Sequence, residues 1–305
     1  MRHLRTLLDL SADEVQEILS LAIELKQGLS RGERPGLFQN HSVTLLFEKP
    51  SLRTRNSFEV AAGQLGGQCW FYSADEAGMN GRETLEDIAR VIGSYADVLA
   101  MRTFSQSLID TFVQYADCHV INALSDERHP CQALTDALTM KELFGDITGR
   151  KLVYIGDGNN VAASLATVAA QCDFRLTLAS PPGYSLPDTV RDSIVAQYPK
   201  AAIECVDDPR SAVVDADVIY TDVWASMGQE SESDIRKKAF ADYQVNAMLM
   251  QCAPSSCRFM HDLPARRGLE VTSEVIEGDQ SAVFQQAENR MHLAKALLVW
   301  LIRSR

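Results

Sequence analysis

After Ser11 the apolar residues Val15, Ile18, Leu19, Ala22 and Leu25 recur every three or four positions, the period of an α-helix that buries one face. Ser11 followed three residues later by Glu14 is a capping box, so a first amphipathic helix is expected to run to about Gly28 and end in a Gly/Arg/Pro loop. The pattern then changes to short β-rich runs alternating with helical stretches. Val43–Phe47 precedes a helix from about Thr54, Cys69–Tyr72 one from about Glu83, Val98–Met101 one from about Ser107, and His119–Ile121 one from about Pro130. Strand, helix, strand in that order means parallel βαβ units. The alternation restarts after Gly149 with Leu152–Ile155, a Gly/Asn turn, a helix through Ala170, and Leu176–Leu178 ahead of Pro181-Pro182-Gly183. Further strands are expected at Ala202–Val206, Val218–Thr221 and Phe259–His261, and a long closing helix from about Glu288 to Ile302. The fold class that follows is α/β with two doubly wound parallel-sheet domains, divided near residue 140.

Composition narrows the partners. The 305 residues are 46% hydrophobic and 23% charged, enough apolar material for two cores. With 29 Lys plus Arg against 41 Asp plus Glu, the net charge of -12 has the wrong sign to attract nucleic acid or anionic lipid, so an anion has to be captured by a local pocket. No apolar run approaches the roughly 20 residues of a bilayer helix, and the N-terminal segment lacks the apolar core of a secretory signal, so a cytoplasmic location is expected. Seven scattered cysteines without a CxxC pair argue for reduced thiols rather than a disulfide framework or a thiolate zinc site.

Several constellations could carry chemistry. Ser51-Leu52-Arg53-Thr54-Arg55 stands where a strand end turns into a helix, so hydroxyls, a planar guanidinium and unpaired helix N–H groups could cradle an anion. The same residues would also serve as a capped helix start with solvated arginines. Arg102 follows a strand and His129-Pro130-Cys131-Gln132 opens a helix after another, which puts both at the carboxyl edge where open α/β sheets bind ligands. Gly156-Asp157-Gly158-Asn159-Asn160 meets the first two glycines of a dinucleotide fingerprint, but position 161 is Val and the pattern is not completed. Asn160 could instead grip a zwitterionic ligand. Asp222 opens a βα loop, Asp222–Glu230, and could hold an ammonium group or cap a helix. His261 and Asp262 are adjacent, and adjacent strand residues point to opposite faces, so no metal site is expected there.

Taken together these segments resemble the aspartate/ornithine carbamoyltransferase family, and its ornithine branch in particular, over nearly the whole chain. Ser51–Arg55 corresponds to S-T-R-T-R with Leu52 in place of Thr, His129–Gln132 to H-P-x-Q, Asp222–Gln229 to D-x-W-x-S-M-G-Q, and Glu288-Asn289-Arg290 to the terminal E-N-R. The resemblance implies a carbamoyl phosphate-binding domain over residues 1–140 and an ornithine-binding domain over 141–287. It also implies a last helix, 288–305, that returns to the first domain. It implies carbamoyl transfer from carbamoyl phosphate to the δ-amino group of L-ornithine, giving citrulline for arginine biosynthesis, in a homotrimer or a multiple of trimers, without metal or organic cofactor. Alternatives are another acceptor amine, such as putrescine or an acylated ornithine, or an inactive carbamoyl phosphate-binding homologue. Ser51, Leu52, Arg53, Thr54 and Arg102 would hold the donor's phosphate, while Arg102, His129, Gln132 and Arg290 would surround its carbamoyl group. Asn160, Asp222, Ser226, Met227, Asp262 and Leu263 would bind ornithine. One departure stands out: where the ornithine branch reads H-C-L-P this chain reads His261-Asp262-Leu263-Pro264, so a carboxylate replaces a thiol beside the attacking amine. The loop Glu76–Thr84, which by analogy reaches a neighbouring subunit, contains neither Gln nor His, and no role is assigned to it.

Overall fold

The computed structural model describes residues 1–225 and 230–304. The chain divides into two compact units, Met1–Leu138 with Glu288–Arg305, and Thr139–Ala287. In the first unit α1 (Ala12–Ser30) is followed by β1 (Ser42–Phe47), α2 (Leu52–Gln64), β2 (Gln68–Ser73), α3 (Leu85–Tyr95), β3 (Val98–Arg102), α4 (Gln106–Tyr115), β4 (His119–Leu124) and α5 (Pro130–Phe144). The Ser11 hydroxyl accepts the Glu14 N–H and the Glu14 carboxylate accepts the Ser11 N–H, so the capping box forms. The four strands pair in parallel in the order β2-β1-β3-β4. Leu46, Leu99, Met101 and Val120 from the strands pack with Ile88, Ile109 and Phe112 from the helices.

The second unit continues with β5 (Lys151–Ile155), α6 (Asn160–Cys172), β6 (Arg175–Ala179), α7 (Asp188–Gln197), β7 (Ile203–Val206), α8 (Pro209–Ala212), β8 (Val218–Thr221), α9 (Ser233–Ala239), α10 (Ala247–Met250), β9 (Arg258–His261) and α11 (Ser273–Glu277). Its five strands are also parallel, in the order β7-β6-β5-β8-β9. Strands buried on both faces read as continuous apolar runs, as Leu152–Ile155 and Val218–Thr221 do, which is why they are legible from sequence. Helix α7 buries Ile194 alone and therefore shows no apolar stripe in the sequence.

The last helix, α12 (Val283–Arg303), begins a turn and a half before the expected Glu288. Its first turns are rich in Gln, Glu, Asn and Arg, and Gln286, Asn289, Arg290 and His292 are buried, so polar residues occupy the face that an apolar stripe would mark elsewhere. Within the first unit Asn289 accepts from Lys26 Nζ at 2.7 Å, Lys295 Nζ donates to Gln64 at 3.1 Å, and Trp300 Nε1 donates to Glu17 at 3.4 Å. The C-terminal helix thus returns to α1 and α2. No helix among the described residues is long and apolar enough to cross a membrane.

Packing α12 in this way buries a cation. Burial first, then the positive charge of Arg34, lowers the Lys295 pKa from 10.5 to about 8. A folded-state pKa below the unfolded one means the unfolded chain binds the proton more tightly, so the cost is full below pH 8 and fades as pH rises to 10.5. Lys295→Met is therefore expected to be most stable relative to the parent below pH 8, with the gap shrinking between 8 and 10.5, as read by urea unfolding across that range.

Candidate functional site

In an open parallel sheet, ligands bind where the strand order reverses, because the connections from two neighbouring strands there leave in opposite directions and open a crevice. In the first unit that point lies between β1 and β3, whose ends are paired as Phe47 with Arg102. The turn after β1 is held by Glu48, whose N–H donates to the Arg102 carbonyl at 2.8 Å and whose carboxylate accepts the Phe104 N–H at 2.7 Å. Lys49 is buried against Asp126 and over the Phe104 ring. This turn delivers Ser51 as the N-cap of α2, its Oγ accepting the Thr54 N–H at 3.3 Å and donating to Thr54 Oγ1 at 3.0 Å. The Leu52 side chain is 74% exposed, so what that position offers at the helix start is its backbone. Arg55 turns aside, paired with Glu59 at 2.8 Å and lying over Phe71 at 3.9 Å.

Arg290 joins three of the sequence motifs. Its guanidinium, buried in the first unit, donates to Gln132 Oε1 at 2.7 Å and to Thr54 Oγ1 at 3.0 Å, and Gln132 Nε2 donates in turn to Asp136 at 2.7 Å. His129 is fully buried just ahead of α5. Burial, then the charges of Arg290 and Arg102, hold its pKa well below 6.5, so the ring is neutral and acts as a hydrogen-bonding group rather than a cation. Burial likewise raises the Cys131 thiol to about 12, and its Sγ donates to the Asn122 carbonyl at 3.4 Å, a packed and unreactive thiol. Ser51, Thr54, Gln132 and Arg290 are thus linked by hydrogen bonds, with His129 within electrostatic reach of both Arg290 and Arg102.

In the second unit the order reverses between β5 and β8, which end opposite each other as Ile155 and Thr221. The residues that follow are Gly156–Asn160 and Asp222. Asn159 caps α6, its Oδ1 accepting from the N–H groups of Val161 at 2.9 Å and Ala162 at 3.1 Å. Its Nδ2 donates to Asp222 Oδ2 at 2.8 Å, while Asp222 Oδ1 accepts the Val223 N–H at 2.6 Å. The first pair of glycines in the fingerprint has a packing reason: a Cβ at Gly158 would lie 2.5 Å from the Ser185 backbone, and Gly156 has φ 153°.

Asp222, His261 and Asp262 come together with ligand atoms within 4.8 Å of one another. The alternation argued from sequence does not apply, because β9 ends at His261 and Asp262 lies beyond the pleat. Burial, then the charge of Asp262, holds the Asp222 carboxyl well above the usual carboxylate range. Asp262 Oδ1 is buried and lies 3.3 Å from His261 Nδ1. In the singly protonated ring Nδ1 accepts the Leu263 N–H at 2.9 Å and Nε2–H faces the fully buried Glu270 at 3.3 Å. Burial disfavours a second proton on this ring, but hydrogen bonds to Asp262 and Glu270, with the charges of Asp262 and Asp222, outweigh it and raise the pKa to about 9. Both ring nitrogens being engaged, neither directs a lone pair at a cation, and the cluster reads as an acidic pocket for an ammonium group rather than a metal site.

Asn160 is the first residue of α6, and Leu263 sits at φ 57° beside Asp262. Ser226 and Met227 lie outside the described residues. Three participants have no role assigned from sequence: Asn159, within the Gly156–Asn160 turn, which holds Asp222; Glu270, which faces His261; and Arg236, which pairs with Asp157 far back in the chain. Only the preference of Asn for helix N-caps points to the first of them.

The comparisons with known proteins follow this division. A model of the aspartate/ornithine carbamoyltransferase carbamoyl-P binding domain matches residues 2–142, and that of the Asp/Orn binding domain matches residues 148–301. The chain is 46% identical over 299 residues to an ornithine carbamoyltransferase of Anoxybacillus flavithermus, covering 97% of this chain and 95% of that protein. It is 45% identical over 299 residues to that of Bacillus subtilis, covering 97% and 92%. The solved ornithine carbamoyltransferase of Pyrococcus furiosus is similar with a TM-score of 0.95 at 42% identity, covering 100% of this chain and 98% of that one. The anabolic enzyme of Campylobacter jejuni gives 0.93 at 34%, each chain covered in full at 100%. With both halves matched by its domain models and full-length relatives well above 30% identity, the chain belongs to the aspartate/ornithine carbamoyltransferase family.

Proposed function

We propose that this protein is an ornithine carbamoyltransferase, which transfers the carbamoyl group of carbamoyl phosphate to the δ-amine of L-ornithine, giving L-citrulline and phosphate. The observation that carries this reading is the hydrogen-bonded set Thr54–Arg290–Gln132, which brings the S-x-R-T, H-P-x-Q and E-N-R segments to one place. The ornithine carbamoyltransferases among its full-length relatives favour ornithine as the acceptor.

In the first unit Ser51, Arg53, Thr54 and Arg102, with the backbone around Leu52 at the start of α2, bind the phosphate and stabilise it as it leaves. Arg102, neutral His129 and Arg290 donate to the carbamoyl oxygen as it gains negative charge, and Gln132 holds Arg290 and the carbamoyl amide. In the second unit Asp222 and Asp262 bind the δ-ammonium, while Asn160, Leu263 and the loop bearing Ser226 and Met227 bind the rest of the amino acid. The ammonium must lose a proton before its nitrogen can attack. Asp222, ionised once the ammonium's charge lies against it, is suited to accept it, because burial and its acidic neighbour give that carboxylate a high proton affinity. Asp262 therefore has a use that a neutral thiol would not: its charge raises the proton affinity of Asp222.

Citrulline formation from carbamoyl phosphate and L-ornithine, with putrescine run in parallel, tests the reading. Arg53→Ala is expected to lose about 100-fold or more in turnover without unfolding, the loss of one charge-stabilising donor. Near-normal turnover would remove Arg53 from the phosphate site. Asp262→Asn, which keeps shape but removes charge, should lower kcat for ornithine by about tenfold or more while KM for carbamoyl phosphate holds. An unchanged rate and pH profile would exclude Asp262 from the proton step.

Copies of the chain are further proposed to form a homotrimer or a multiple of it. Trp70 and Tyr72 on edge strand β2, with Val91 and Tyr95 on α3, are exposed around a groove of about 390 Å³, an apolar surface of the kind subunit contacts cover. Trp70→Glu is expected to yield smaller species than the parent in sedimentation velocity; identical sedimentation would exclude this surface as the contact.

A further inference from the structure

One nucleophile in the first unit has no part in the chemistry above. Lys295 lies inside α12, 3% exposed, and its Nζ donates to Gln64 Oε1 at 3.1 Å. Among the described residues this is its one hydrogen bond, although an ammonium offers three donors. The acceptor is held in place, since Gln64 Nε2 donates to Met291 Sδ at 3.6 Å. The charges around the amine are mostly of its own sign. Arg34, between α1 and β1, repels it, and Lys26 on α1 bears with Lys295 on His292. The carboxylate that offsets them, Glu288, is more than half exposed and lies 3.4 Å from His292 Nε2. Burial and those cations lower the His292 pKa to about 4, so the ring is neutral. With Nε2–H towards Glu288, its buried Nδ1 is an acceptor without a partner among the described residues. An amine so short of negative charge and of acceptors gains more by losing its charge than an exposed lysine does. A neutral urea in its place would keep an N–H for Gln64, offer a carbonyl oxygen to the cations and an NH2 group to His292 Nδ1.

We propose that Lys295 is a carbamoylation site of the first unit, its amine taking a carbamoyl group from isocyanic acid. Carbamoyl phosphate, the donor proposed above, eliminates to phosphate and isocyanic acid, which is small, linear and uncharged and so suited to a site this enclosed. The unprotonated Nζ attacks the carbon of H–N=C=O, the N–C bond forms as the C=N π pair moves to nitrogen, and one amine proton shifts to that nitrogen. The product is Nζ-carbamoyl-lysine, with nothing oxidised, reduced or expelled. Near pH 8 half of the Lys295 amine is unprotonated, against about 0.4% of an ordinary lysine. Proton affinity therefore favours the enclosed amine, while access favours exposed ones.

Carbon-13 cyanate, which supplies isocyanic acid directly, tests this on the full chain, with the occupancy of each lysine read by peptide mass spectrometry. Near pH 8 Lys295 is expected to label about tenfold or more faster than the exposed Lys200 and Lys238. The preference should vanish above pH 10.5, where ordinary lysines also lose their protons. Arg34→Gln, an exposed change that removes a repelling cation, should slow Lys295 labelling by about twofold or more near pH 8 and leave Lys200 unchanged. Carbon-13 carbamoyl phosphate should give the same Lys295 label, and its absence would remove the substrate as the source. That source rests on the proposed donor, which citrulline formation by the parent tests separately, whereas the cyanate result does not depend on it. Labelling of Lys295 no faster than of Lys200 and Lys238, a preference independent of pH, or a rate unaffected by Arg34→Gln would overturn the proposal.

Discussion

The order in which parallel strands pair is the constraint on which the chemistry of this protein depends. In both units one strand has its successor on one side and a later strand on the other, β1 between β2 and β3, and β5 between β6 and β8. The connections leaving such a pair must diverge, and what lies between them is lined by strand ends, helix N-termini and turn residues. Ser51 and Arg102 occupy that position in the first unit, and Asn159 and Asp222 in the second. The crevice of each unit is thus a product of the same rule, and the two are lined with groups of opposite electrical character.

That opposition is kept by burial. In the first unit a buried guanidinium, Arg290, and the partly buried Arg102 bear on a histidine that burial keeps neutral, an environment waiting for negative charge. In the second unit burial and a like neighbour push the Asp222 carboxyl towards its protonated form, an environment that favours the arrival of a cation. Water would screen both effects were these groups exposed. The hydrogen bonds that tie Arg290 to Gln132 and Thr54, and Asp222 to Asn159, are therefore more than structural detail, since they hold each charge where solvent does not dissipate it.

Most of the fold was legible because buried parallel strands write continuous apolar runs and most helices carry an apolar stripe. Where a helix buries polar groups, as α12 does with Gln286, Asn289 and Arg290, or buries almost nothing, as α7 does, periodicity has no signal to offer. Local segments that combine a cap, an arginine and a strand end, such as Ser51–Thr54, announce an anion site because their parts are neighbours in the chain. Pairs such as His261 with Glu270 or Arg236 with Asp157 do not, because their separation in sequence has no fixed relation to their separation in space. The expectation that His261 and Asp262 face apart failed for a related reason: the pleat rule holds within a strand, and the strand ends between them.

The sequence by itself determined the α/β class, the two-part organisation, the family and the residue types gathered for the reaction, since each of these is written in local period, motif and composition. Only the tertiary structure decided the charge states and the company those residues keep: that His129 is neutral, that Asp222 and Asp262 share one pocket, and that Arg236 pairs with Asp157. Proton affinity depends on the distance to other charges and on the exclusion of water, and neither quantity exists until strands distant in sequence have been laid side by side.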